Sequence, residues 1–187
     1  RTLALSAGCS PSTGRSRQSL DGSPSTCRSR GGEILWDSWG IPHIYAETDE
    51  RLLFALGWAE MRSHGDRILE LYGKARGRAA ELWGRDYLDS DRYVRTMGGP
   101  RLAREAYRRS TRRERTLIDA FAAGMNAYAL AHADALDPEG RRALPVSGQN
   151  VLEAVVYTLS LNGLYLGPER VRGVVQSYLA TGLGSAT

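Results

Sequence analysis

The stretch Trp36-Asp37-Ser38-Trp39-Gly40-Ile41-Pro42-His43-Ile44-Tyr45-Ala46 decides how the rest of the chain is read. With Glu33-Ile34-Leu35 ahead of it, it gives two short apolar runs, 33–37 and 41–46, flanking Ser38-Trp39-Gly40. That is a strand–turn–strand pattern with Asp37 and Gly40 as turn residues. Pro42 has no amide N–H to give a ladder, so the second run suits an edge strand or a strand start.

Helical spacing takes over downstream. Thr48 or Asp49 can cap a helix, because a side-chain oxygen accepts from a free N–H of the first turn. Leu52, Leu53, Leu56 and Ala59 fall on one face; the pattern resumes at Ile68, Leu69 and Tyr72, with a break or kink near Gly65. Glu70-Leu71-Tyr72-Gly73 is echoed by Glu81-Leu82-Trp83-Gly84 eleven residues later. Eleven residues make about three helical turns, so Tyr72 and Trp83 share a face if the helix is continuous. Pro100 opens a second helix and Thr111 a third, which carries Leu117, Ile118, Phe121, Met125 and Tyr128 as a core-facing stripe. A loop through Asp137-Pro138 and Leu144-Pro145 leads to a fourth helix from near Ser147. Glu153 is its only charge before Pro168, and a helix apolar on most sides belongs inside a larger body. A last helix is expected over 168–180.

Upstream of the hairpin the composition changes. Residues 1–32 are rich in Ser, Gly, Arg and Thr, too polar to repay the entropy of ordering, and read as a flexible tail ahead of a body over 33–187. The chain has 25 basic and 21 acidic residues; five arginines and one aspartate fall in that tail, so the remainder carries 20 of each and is neutral. A generally basic nucleic-acid-binding body is thereby disfavoured. No uncharged run reaches the 18 or so residues of a membrane span. Leu3 to Cys9 resembles the end of a secretory signal, and Ala7-Gly8-Cys9 a lipoprotein processing site, so Cys9 is a candidate anchor. Cys9 and Cys27 can pair in an oxidising compartment or be a coincidence of the tail.

Candidate sites within the body have plain alternatives. His43, His64 and His132 show no metal-ligand spacing. His43 reads as an acid–base residue or as a histidine satisfied by hydrogen bonds beneath a strand. Asp89 and Asp91 read as a carboxylate pair on an extended segment or as solvated loop residues. Asp66 and Arg67 suit an internal ion pair. Residues 101–115 hold seven arginines and two glutamates, a face for a non-enzymatic interaction partner, for phosphates, or for solvent alone. No nucleophile–base constellation closes within the chain.

The residues 36–46 resemble the start of the mature first chain in the penicillin acylase family, with its Gly, branched residue, Pro, His, Ile order. The resemblance continues through Phe54-Ala55-Leu56-Gly57-Trp58-Ala59, Gly77 to Gly84, Asp91-Arg92 with Arg95 and Gly98, Phe121 to Tyr128, and Leu144-Pro145 followed by Val151-Leu152. It covers about residues 33–170.

What the resemblance implies is an α+β fold, mainly helical in this chain, forming the α-chain part of an αββα N-terminal nucleophile hydrolase sandwich. In that family a precursor cuts itself into α and β chains. The nucleophile is the first residue of β, usually serine, and its own α-amine is the general base. An α chain then supplies scaffold and part of the acyl pocket for N-acyl substrates such as penicillins or acyl-homoserine lactones, and is inactive alone. The resemblance places Leu161, Asn162, Leu164 and Tyr165 against the acyl group. Burial there is worth about 0.8 kcal/mol per methylene, although core packing accounts for the same residues. Glu169 lies near a family calcium ligand, but one carboxylate does not make a calcium site. Ser185 in Gly184-Ser185-Ala186 reads as the processing-junction nucleophile or as an ordinary linker serine; Ala186 departs from the family's usual Asn. A periplasmic or secreted location follows from the same resemblance.

Overall fold

The computed structural model describes residues 25–29 and 32–161. Among the described residues three strands come first: β1 (Ser25–Ser29), β2 (Gly32–Trp36) and β3 (Pro42–Ala46), antiparallel in the order β1-β2-β3. Asp37 builds the β2–β3 turn, its carboxylate accepting from the Trp39 and Ile41 amides at 2.9 Å each. Within this sheet β3 is an edge, as Pro42 requires. The tail boundary at residue 32 needs correction: β1 lies inside the segment read as tail, with Cys27 opposite Ile34. Composition missed it because pairing with β2 uses backbone groups, which polar residues supply as well as apolar ones.

Among the described residues six α-helices follow: α1 (Asp49–Ala75), α2 (Ala79–Trp83), α3 (Leu88–Thr96), α4 (Gly99–Arg109), α5 (Arg112–Ala131) and α6 (Gly148–Leu161). Thr48 caps α1, its hydroxyl accepting from the Arg51 amide. Pro100 lies in the first turn of α4. At α5, Thr111 and Glu114 form a reciprocal capping box. The kink expected near Gly65 falls at His64, whose φ of −141° leaves the helical region.

The eleven-residue echo is not one continuous helix. The chain leaves α1 through Gly77, at φ +63°, a backbone that favours glycine. α2 then folds back, so that the outer atoms of the Trp83 indole fill the space a Gly73 Cβ would need while its N–H donates to the Glu139 carbonyl. Tyr72 and Trp83 still meet one core, by tertiary return rather than helical phase.

That core is built around Met61, Leu69 and Met125, all fully buried between α1 and α5. A second cluster, Leu102, Ala103, Ile118, Leu152 and Val156, joins α4, α5 and α6. The hairpin packs on α1 through Ile34, Trp36 and Ala59. The result is mainly helical, and α6 sits where both main clusters touch it.

Candidate functional site

Of the residues that resemblance points to, Leu161 is the last described residue of α6, so the way this helix is held bears on the site. Its N-terminus is fixed by a local cap and by polar groups from two other segments. Asn126 of α5 brackets Val146, donating to its carbonyl at 2.7 Å and accepting from its amide at 2.8 Å. Ser147 and Asn150 cap reciprocally, the Asn150 carbonyl oxygen accepting from both the amide and the hydroxyl of Ser147. Arg76, at the end of α1, donates from Nη2 to that same Asn150 oxygen at 3.1 Å and to the Pro145 carbonyl at 3.3 Å.

Glu153 completes this network. It is only 4% exposed, and its two carboxylate oxygens accept from Gln149 Nε2 and Asn150 Nδ2 at 2.8 Å each. Burial holds the Arg76 guanidinium below its ordinary pKa, and the Glu153 charge opposes that shift. Beside the helix start, Tyr107 donates its hydroxyl to both oxygens of Asp119. Burial first, then that hydrogen bond, push the Tyr107 pKa up to about 12. Gly148 is needed here because a Cβ would strike Asp119 and the Tyr107 ring.

At the other end of the described part of α6 stands Leu161. It is 58% exposed, an apolar side chain presented rather than packed. Asn162, Leu164, Tyr165, Glu169 and Ser185 lie outside the described residues, as do Cys9 and the helix expected over 168–180. Among the described residues no three His, Cys, Asp or Glu side chains converge to hold a metal ion.

Several expectations for the body change. His43 is not beneath a strand: it is exposed on β3, with Nε2 3.2 Å from Asp37. The backbone hydrogen bond from Ile41, helped by His43, keeps the Asp37 carboxyl below its usual range. Asp89 and Asp91 are neither on an extended segment nor a pair. Both are on α3, where Asp89 meets Arg92 in solvent while the buried Asp91 accepts from the Ala79 and Ala80 amides. Asp66 does not pair with Arg67; it accepts from the Asp137 amide at 2.7 Å. The arginine run is no single face, because Ser110, at ψ 143°, separates α4 from α5. Arg109 pairs with Glu105 and Arg113 with Asp49, both in solvent.

One cluster had no signal in spacing. Trp36, Trp58, Tyr128 and His132 form a chain of tilted and edge-to-face ring contacts, with centroids 4.6–5.9 Å apart and the Arg62 guanidinium 3.7 Å over Trp36. It borders a cavity of about 310 Å³ at the α1 kink, lined by Arg62, His64, Asp66, Arg67 and Tyr128. Burial, reinforced by Arg62, lowers the His132 pKa below the ordinary 6.5. A lowered folded-state pKa favours the neutral ring, so the unfolded chain takes up the proton first as pH falls. His132 therefore leaves stability intact above pH 6.5 and erodes it progressively below. The loss of thermal midpoint between pH 7 and pH 5 should be smaller in His132→Gln than in the parent chain; equal losses would refute the assignment.

Comparison with known proteins gives this architecture its place. The penicillin amidase family signature matches residues 32–163. An acyl-homoserine lactone acylase, QuiP, of Pseudomonas fluorescens (strain Pf0-1) is 34% identical over 100 residues, which are 54% of this chain and 12% of that protein. The penicillin acylase 2 proenzyme of Pseudomonas sp. (strain SE83) is 33% identical over 95 residues, 49% of this chain and again 12% of the relative. The chain thus spans about an eighth of the curated relatives it matches. A solved structure of a thermostable penicillin G acylase from Alcaligenes faecalis aligns with a TM-score of 0.59 and 21% identity, covering 88% of this chain and 94% of that one. That likeness bears on fold, and the signature covers well over half of the sequence. By sequence signature and by fold, this chain belongs to the penicillin amidase family.

Proposed function

We propose that this chain is the α-chain part of a hydrolase that cleaves the amide bond of N-acyl substrates, of the penicillin or acyl-homoserine lactone kind. The nucleophile would come from a β chain cut from the same precursor, within a shared αββα sandwich. The observation that carries the reading is α6. It is anchored by buried polar groups at its start and presents Leu161 to the outside at its exit, as a helix does when it lines a pocket completed elsewhere. Trp39, 86% exposed, with Ile41 and Tyr45 on the hairpin, adds apolar surface beside the edge strand. Such surface in one region is the mark of an interface. Leu161, Asn162, Leu164 and Tyr165 would face the acyl group. Ser185 as the junction nucleophile, calcium at Glu169, and a periplasmic or secreted location, with Cys9 as a lipid anchor, belong to the same proposal. Among the described residues no helix is long and apolar enough to cross a membrane.

The test is division of labour. Purified residues 1–187 should release no amine from penicillins or N-acyl-homoserine lactones, and co-expression with the remainder of the precursor should restore release. Turnover by this chain alone would overturn the proposal. So would an inactive complex.

A further inference from the structure

We infer that Glu153 is a positioning residue: its buried carboxylate sets the rotation of α6 about its own axis and so fixes the direction in which the exit of this helix is presented. The inference deepens the acylase reading and rests on it for the acyl group. Apolar packing alone does not set this rotation. Val151, Leu152, Ala154, Val155 and Val156 are buried or half-buried and spread around much of the helix. Burial of that kind is non-directional, so several rotations would cover comparable apolar area. Hydrogen bonds are directional, and a buried charge tolerates no rotation that strips its partners.

Glu153 supplies that constraint, since both of its oxygens are occupied by Gln149 and Asn150 from the preceding turn. Those bonds alone would travel with the helix. What fixes them in space is Arg76, which holds Asn150 from the end of α1 and whose cation is favoured by the Glu153 charge. Turning α6 would carry Asn150 away from this guanidinium and leave the buried carboxylate without its anchored partner. Leu161 lies eight residues on, about 12 Å along the axis, so an error in rotation at Glu153 is carried undiminished to the exit of a rigid helix.

The experiment uses the assembled enzyme with Glu153→Gln, which keeps the volume and one of the two hydrogen bonds but loses the charge and the second acceptor oxygen, and Glu153→Leu, which loses the charge and both hydrogen bonds. For N-acyl substrates of graded acyl length, Glu153→Leu should raise KM by about tenfold for the preferred acyl group while kcat stays within about twofold. The preferred length should shift, and Glu153→Gln should fall between. Amide hydrogen exchange gives a second readout that needs no substrate: residues 154–161 should exchange faster in Glu153→Leu, with α5 unchanged. If the parent enzyme cleaves no N-acyl substrate, the acylase reading fails, and exchange still decides whether Glu153 anchors the helix. Unchanged exchange overturns the inference, as does an unaltered acyl profile in an active enzyme.

Discussion

Gly124→Ala is expected to destabilise the helical body by about 2–4 kcal/mol, even though alanine is the better helix former by about 1 kcal/mol. The reason is the contact between α1 and α5. A Cβ on Gly124 would sit inside the Phe54 carbonyl oxygen, 2.8 Å from its carbon and 3.0 Å from the Trp58 nitrogen. Gly57 meets the Phe121 carbonyl in the same way from the other helix. The obstructing atoms are backbone, so no rotamer change relieves the clash; the helices must separate, and the packing of Met61 and Met125 is lost with them. In a protein of this size the change corresponds to a fall in thermal midpoint of roughly 4–16 °C. Gly140→Ala is the control, because its Cβ would make ordinary contact with Leu69 at 3.7 Å. Equal midpoints for the two variants would show that the α1–α5 crossing has slack that the geometry denies.

The same contact shows what was legible in the sequence. Phe54-Ala55-Leu56-Gly57 and Phe121-Ala122-Ala123-Gly124 are one pattern, Phe-Ala-x-Gly, written twice, and each glycine lies on the phenylalanine carbonyl of the other copy. Both copies can be read as helical motifs, yet nothing local says that they face each other. Helix starts at Thr48, Pro100 and Thr111 were legible because a cap is chemistry between near neighbours. The β2–β3 hairpin was legible for the same reason, through Asp37. Helix α3 was not: Leu88–Thr96 is a polar stretch with a weak apolar period, and its tie to the fold runs through Asp91 to Ala79 and Ala80. At the site, Glu153 stood out as a lone charge in an apolar run. Its meaning depends on Arg76, more than seventy residues earlier, which no spacing rule connects to it.

Asp91→Ala should cost about 3–4 kcal/mol, nearly as much as the glycine substitution but by loss of partners rather than by crowding. The Asp91 carboxylate is 7% exposed and accepts from the Ala79 amide at 2.8 Å and the Ala80 amide at 2.9 Å. These are the first free N–H groups of α2, whose preceding residue, Arg78, makes no side-chain cap. A carboxylate there also meets the positive end of the helix. With alanine, two amides in a buried setting lose a charged acceptor, and each such bond is worth about 1.5–3 kcal/mol, with some recovered by entering water. The effect should reach beyond α2, because Trp83 at its end covers Gly73 and the core beneath. Asp91→Asn separates charge from shape: its single carbonyl oxygen can serve one amide while its NH2 opposes the other, so about half of the loss should remain. Asp89→Ala, which removes only a solvent-exposed pair with Arg92, should lie within about 0.5 kcal/mol of the parent. Denaturant unfolding of the three variants decides the matter. An Asp91→Ala midpoint no lower than that of Asp89→Ala would mean that α2 is held by the Trp83 contact alone and needs no carboxylate at its start.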